Sequence, residues 1–430
     1  MGRVGQVDKT QRFFESDPPD VPDARGAPGH RLTRRDFVTA ALLTSAFSRV
    51  ATQDARFVAT VALGSPSAGA PPFGRLVGDG LDARLFTDLS QLGNPQSPLN
   101  PQSAMRNPQS IRNPQSAIRN PLSLVTSNDK FFVRTAASSN LPPTDAWTIR
   151  VGGLVRSPVA LTLRDLDARA AAPARVLLEC SGNADPLNYG LLSAADWEGI
   201  PLQAILDRVQ PSASSYRVLV SGVDDASRTW RTSIAGASWI FSRDDLSRAM
   251  LAVRMNGAPL PRDHGFPVRL IVPGWYGCTC VKWVDRIELV ADDAPATSQM
   301  REFAARTHQP QGASLARDFI PATIDTAAMP VRVEKWTAGG RTEYRIVGII
   351  WGGSTPTNAL SIRFRSGGPW TRVDECPLPA STLTWSLWTH TWRPAEPGRY
   401  EIVLRVDDPS IRTRRLDIFF YVREIAIDDV

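Results

Sequence analysis

Downstream of residue 126 the chain alternates apolar and polar positions in short runs. "WTIRVGGLV" (147–155) and "YRVLVSGVD" (216–224) repeat with a period of two, the pattern of strands with one buried face. "VLLECSGN" (176–183) differs: an unbroken apolar run delivers a charge, a thiol, a hydroxyl, a glycine and an amide in succession. It reads as a strand that ends at a site. "LTLRDLDARA" (161–170) and "PLQAILDRV" (201–209) read as helices, and Asn256-Gly257 is a tight-turn signal between strands. Strands and helices mixed in this way predict an α+β domain over 124–296.

After a variable stretch from about 296 to 320 the helical signals nearly vanish. "VRVEKWTA", "YRIVGIIWGG", "LSIRFRSGG", "SLWTHTW" and "RYEIVLRVDD" are strand-like runs parted by Gly, Pro, Ser and Asp. Their spacing predicts a β-sandwich of the immunoglobulin type over 297–430. Trp388 and Trp392 alternate with polar residues and read as core.

The first 123 residues carry other signals. Residues 56–92 are weakly patterned, and "NPQS" recurs at 94, 100, 107 and 113, with "NPLS" at 120. The Asn-Pro steps interrupt any helix, so 56–123 reads as a disordered linker. "RLTRRDFVTAALLTSAFS" (31–48) joins Arg34 and Arg35 to an apolar stretch too short to span a bilayer. It resembles a twin-arginine export signal within a 1–55 signal region and implies a periplasmic protein. That route carries folded proteins, which suits a cofactor inserted before export.

Composition narrows the function. At 430 residues the chain fits two domains plus tails. The formal charge of +6 comes almost wholly from arginine, with lysines only at 9, 130, 282 and 335. The surplus is spread along the chain as on a solvated surface, and no nucleic-acid motif accompanies it. No apolar run is long enough for a membrane span. Cys180, Cys278, Cys280 and Cys376 form no disulfide framework or zinc pattern. "GCTC" (277–280) reads as buried small side chains rather than a metal clip.

Taken in order, "FFVR" (131–134), "LLECSGN", "WEGIPLQAILDRV" (197–209) and "MNGAPLPRDHGFPVRLIVPGWYGCTCVKWVDRIELV" (255–290) resemble the sulfite oxidase family of molybdopterin enzymes. The resemblance covers roughly 125–425. It implies a molybdenum-molybdopterin cofactor, with Cys180 as the thiolate ligand, a soft donor suited to a redox metal. It places Arg134 at the mouth of the site, in contact with cofactor and substrate. It gives His264, Arg269, Cys280, Val281, Lys282 and Asp224 to the pterin and its phosphate, Lys282 as a point charge. The sandwich resembles the family's dimerisation domain, which implies a homodimer.

The chain departs from the sulfite-oxidising members at several places. Ala184-Asp185 stand where they have paired arginines, and Thr135-Ala136 where they have Asn-His. "TSQMREFAAR" lacks a tyrosine and "WGGSTPT" lacks an arginine. A lone Arg134 would serve a dianion poorly, so sulfite is expected to react slowly and a neutral sulfoxide better. The resulting expectation is an exported oxidoreductase that moves an oxygen atom to or from a small substrate. With no haem, flavin or nicotinamide motif visible, its electrons would pass to a cytochrome or quinone-linked carrier. The alternatives are a sulfoxide-type reductase and a non-catalytic scaffold of the same fold.

Overall fold

The apolar run before Cys180 is buried on both faces, and the architecture follows from it. Strand β4 (Ala174–Glu179) directs Val176 and Leu178 into one hydrophobic core and Leu177 into a second. Its neighbour β5 (Leu192–Pro201) does the same, with Ala195 and Trp197 on one side and Leu192 and Ala194 on the other. Successive side chains of a strand point to opposite faces. A strand walled by two cores therefore reads as a continuous apolar run.

The computed structural model describes residues 56–63, 74–78, 82–93, 124–138, 141–167, 170–183, 190–223, 236–418 and 421–430. The export signal, the Asn-Pro repeats from 94 and Asp224 lie outside these residues. Within them, β4 and β5 continue through β8 (Met250–Met255) to β10 (Arg269–Ile271), and β9 (Ala258–Pro259) pairs with β8. The Asn256-Gly257 turn joins β8 to β9 with both residues at positive φ, 54° and 77°, as the sequence requires. The second sheet of this half runs β3 (Val159–Thr162), β2 (Thr148–Gly153), β11 (Val284–Val290), β6 (Arg217–Gly222) and β7 (Ser238–Ser242). Only its β2–β11 pair is parallel. The α-helices are short: Leu163–Asp167, Leu202–Arg208 and Ser298–Glu302. The two expected helices exist, the first over five of its ten signalled residues and the second over seven of its nine, and among the described residues sheet dominates.

Two four-stranded antiparallel sheets make the other half. One is β1 (Arg56–Val61), β12 (Ala327–Ala338), β13 (Arg341–Trp351) and β16 (Ser386–Trp392). The other is β15 (Thr371–Arg372), β14 (Leu360–Arg363), β17 (Gly398–Val406) and β18 (Arg423–Ile427). Both enclose the second core, where Trp388 is fully buried and its Nε1 donates to the Ile349 carbonyl at 3.1 Å. Trp392 stacks on Phe364 at 4.1 Å. Trp388 is core, as its alternation indicated, and Trp392 packs half-buried against that core.

Residues 56–93, expected as linker, need correction. β1 pairs antiparallel with β12. Leu85 bridges Val133 through reciprocal backbone hydrogen bonds of 2.9 and 3.0 Å. Leu89 and Leu92 are buried in the second core. Arg332 clamps this segment by donating to the carbonyls of Ser90 at 2.6 Å and Leu92 at 2.8 Å, with its charge balanced by Glu334. The anchors Leu85, Leu89 and Leu92 recur over barely two turns, too short a run to stand out from the weakly patterned sequence around them.

Candidate active site

The strand parity of β4 carries on past its end. Cys180 falls on the side of Val176 and Leu178, and Glu179 on the side of Leu177. The thiol is thereby presented, 7% exposed, to an open cleft, while the carboxylate is fully buried behind it. The loop is held by its own backbone. Cys180 N–H donates to Leu191 O at 3.0 Å, and Asn183 N–H donates to Cys180 O at 2.8 Å. The Asn183 side chain closes it, accepting from the backbone N–H groups of Gly190 and Leu191 at 3.1 and 2.8 Å.

Of the expected site residues, Arg134, Cys180, Arg269, Cys280, Val281 and Lys282 all line this cleft. Phe132, Thr135, Cys278, Trp283, Gln299 and Phe303 share its wall. His264 lies beside it, 3% exposed, edge-on to Phe131. Its Nε2 sits 2.9 Å from the Asn128 carbonyl. A carbonyl can only accept, so Nε2 carries the proton and Nδ1 is the bare nitrogen of the neutral ring. Burial, with Lys282 and Arg269 adding to it, pushes the His264 pKa down to about 3.

Arg269 is 5% exposed. Its guanidinium donates to the carbonyls of Cys280 and His264, each at 3.3 Å, and rests 5.5 Å from the Trp197 ring. Burial lowers its pKa to about 10, which leaves it charged at neutral pH. Lys282 donates to the carbonyls of Thr135 and, at 2.8 Å, Asp263. The segment after Arg134 is thus tied to the His264 turn, as is Ala137, whose N–H reaches Asp263 Oδ1 at 2.8 Å. Gly265 makes the turn at φ +109°, and a Cβ there would lie 3.1 Å from Arg269 Cβ and 3.2 Å from Lys282 Cγ. Only glycine fits between the two cations without displacing them.

Of the two thiols of "GCTC", Cys280 is buried as expected and Cys278 is half-buried at the cleft wall. Burial pushes both Cys278 and Cys280 above the usual thiol range. They stay protonated at neutral pH and are weak ligands as they stand.

The picture of a lone Arg134 does not hold. Arg84, from the supposed linker, donates to the Arg134 carbonyl at 3.2 Å and lies within electrostatic reach of both Arg134 and Cys180. Burial first, and Arg134 next, lower its pKa to about 10. Burial likewise lowers the Arg134 pKa, with the Cys180 thiol opposing and Arg306 reinforcing. Arg306 is exposed on the rim, 5.5 Å from the Phe303 ring. Asp82 opposes the lowering of the Arg134 pKa, and it lies 4.0 Å from Arg84. Among the described residues, Arg84, Arg134 and Arg306 bring three guanidiniums to this side of the cleft. Arg306 ends the "TSQMREFAAR" stretch, whereas Arg84 stands in no position that a sequence motif marks and is brought in by the fold. Arg228 and Arg231 lie outside the described residues.

Residues 137–298 match the family model described as the oxidoreductase molybdopterin binding domain. The mouse mitochondrial sulfite oxidase is 27% identical over 324 residues, covering 66% of this chain and 56% of that protein. The barley NAD(P)H nitrate reductase is 31% identical over 175 residues, 36% of this chain and 19% of that protein. The chain thus spans about half the length, or less, of these curated relatives. Among solved structures, the sulfane dehydrogenase SoxCD from Paracoccus pantotrophus superposes with a TM-score of 0.55 at 15% identity, covering 96% of each chain. That likeness is one of fold.

Proposed function

The chain carries a molybdopterin-binding oxidoreductase domain of the sulfite oxidase family, and from that premise we propose an enzyme that moves an oxygen atom to or from a small anion at a molybdenum held by Cys180. The observation that carries the reading is the cleft in which the Cys180 thiol meets Arg134 at one side and the buried Arg269 and Lys282 at another. The residues fit the cofactor. A thiol at a strand end offers one soft donor, and Arg269, whose hydrogen bonds go to carbonyls rather than a carboxylate, keeps charge for a phosphate. When bound, molybdenum-molybdopterin supplies two-electron oxygen-atom transfer.

The protein's own part is positional and electrostatic. Neutral His264 offers Nδ1 as an acceptor for a ring N–H, its orientation fixed by the Asn128 bond. Phe132, Trp283 and Phe303 give the cleft apolar walls, and low polarity strengthens every charge inside. Arg134, with Arg84 and Arg306 near it, favours a substrate that carries negative charge. This replaces the sequence-based preference for a neutral sulfoxide, because that preference assumed a single arginine.

The wider reading includes export by Arg34-Arg35, an external electron carrier, and a homodimer through an immunoglobulin-type sandwich formed by the C-terminal half. Export is tested by Arg34→Lys with Arg35→Lys, which should retain the folded protein in the cytoplasm. For the chemistry, purified protein should hold about one molybdenum per chain, the stoichiometry of a single-thiolate site. Cys180→Ser should abolish activity. Assays with artificial carriers should then run sulfite, nitrate, a sulfane-sulfur substrate and sulfoxides side by side. Turnover of sulfoxides alone would overturn the anionic-substrate reading, and an active Cys180→Ser would overturn the ligand assignment.

A further inference from the structure

The charge in "LLEC" is still without a role, and its partners come from the far half of the chain. Glu179 directly precedes Cys180 and is fully buried. Its two carboxylate oxygens accept from Arg414 Nη1 and Nη2 at 2.6 and 2.7 Å, a bidentate pair. Trp351 Nε1 donates to Oε2 at 2.9 Å, and Asn183 Nδ2 donates to Oε1 at 3.1 Å. The Glu179 carbonyl accepts from Gly277 N–H at 2.7 Å, in the other cysteine-bearing loop of the cleft. One residue thus binds the Cys180 loop, the "GCTC" loop and the C-terminal sheets.

Arg414 is anchored from its own side. Its backbone N–H donates to Thr326 O at 3.0 Å, and Nη1 also donates to the Tyr421 hydroxyl at 2.9 Å. The guanidinium lies 5.5 Å from the Tyr276 ring and 6.0 Å from the Trp351 ring. Burial alone would lower its pKa, but Glu179 more than offsets this and holds it well above the usual arginine value. A buried ion pair adds little net stability compared with apolar residues of the same shape. Its better-attested use is to specify one arrangement. Here the arrangement specified is the direction of the next residue's thiol.

We propose that the Glu179–Arg414 pair, with Trp351, is a positioning device through which the C-terminal half sets the geometry of Cys180. The proposal rests on Cys180 being the molybdenum ligand. The route is short: Arg414 fixes the Glu179 carboxylate, Glu179 fixes Asn183, and Asn183 closes the loop that holds the thiol. Arg414 touches neither substrate nor cofactor cleft, so it acts through Cys180.

The test compares Arg414→Lys, Trp351→Phe and the charge-free double variant Glu179→Gln/Arg414→Gln with the unaltered protein. In apoprotein, iodoacetamide labelling of Cys180, followed by peptide mass spectrometry, should quicken about tenfold in Arg414→Lys as the loop opens locally. Trp351→Phe removes a single hydrogen bond and should shift the same rate less. In loaded protein the paramagnetic resonance of the half-reduced metal should change line shape, and kcat should fall with little change in KM. The double variant leaves no unpaired charge and covers the case in which Arg414→Lys does not fold. Folded, loaded variants with unaltered labelling, resonance and kcat would overturn the proposal. Cys180→Ser, run alongside, separates the two ideas. If its resonance is unaltered, the ligand assignment has failed; if it changes while the Arg414 and Trp351 variants do not, only the positioning role has failed.

Discussion

His264 shows how burial converts a common side chain into a fixed one. Its folded pKa of about 3 lies below the ordinary histidine value, so the unfolded chain binds a proton first as pH falls. Stability contributed by the neutral ring is full above about pH 6.5 and is lost as pH drops from there towards 3. Between pH 6.5 and 5 this amounts to about 2 kcal/mol at 1.36 kcal/mol per unit. Denaturant unfolding of the unaltered protein and of His264→Gln should therefore converge by about that amount from pH 7.5 to 5. A constant difference across the window would contradict the neutral, buried ring. Arg84 makes an opposite kind of residue-level claim, since its role is long-range charge. At an effective dielectric near 20, a charge several ångströms away contributes on the order of 1–2 kcal/mol to binding an anion. Arg84→Met should raise KM for an anionic substrate about tenfold, Arg84→Lys should restore much of it, and Asp82→Asn should lower KM. An unchanged KM in Arg84→Met would remove Arg84 from the site. Both residues bear on what a sequence can disclose. His264, Arg269 and Lys282 were legible because a motif of fixed spacing carries them together. Arg84 was not, because electrostatic convergence depends on which distant segments meet.

Among elements, β4 and β5 explain why the sequence around Cys180 looks as it does. An alternating strand would leave one face wet, but these face two cores, so the pattern is continuous until Glu179. That glutamate could not be interpreted from the chain alone: a charge in an apolar run demands a partner, and its partner is 235 residues away. Element type was legible for most strands, from "WTIRVGGLV" to "RYEIVLRVDD", because period two survives wherever one face is exposed. The segment at 82–93 escaped because Leu85, Leu89 and Leu92 keep a helical i, i+4, i+7 spacing over barely two turns, a run too short to stand out beside the Asn-Pro repeats, and the fold uses it only as a short 3-10 turn at Leu89–Gln91. It is nevertheless structural. Leu89 is 2% exposed in the second core, and Leu89→Ala should cost about 2–4 kcal/mol in denaturant unfolding, since a core cavity is left behind. A loss near zero would return the segment to the status of a linker.

At the scale of the whole molecule, two domains divided near 296 is too simple a division. The sheet containing β4 and β5 belongs to both cores, and Leu177, Leu192, Ala194 and Tyr276 pack with residues from beyond 320. Leu177 N–H donates to Leu383 O at 2.7 Å, and Trp385 Nε1 to Leu124 O at 2.8 Å. A fragment of residues 124–296 would expose two buried leucines, each worth about 1.5–3 kcal/mol. It would also strip Glu179 of Arg414 and Trp351, the partners that hold the Cys180 loop from its far side. Together these losses are large against the whole stability of an ordinary domain, roughly 5–15 kcal/mol. The fragment should accordingly be aggregated or unfolded when expressed alone, and the full chain should melt in one cooperative calorimetric transition. A soluble fragment that melts cooperatively and binds molybdopterin would show that the cofactor half is self-sufficient. In that event the C-terminal sheets would be an appended module, and the reach of Arg414 into the Cys180 loop would be a matter of fine adjustment rather than of folding.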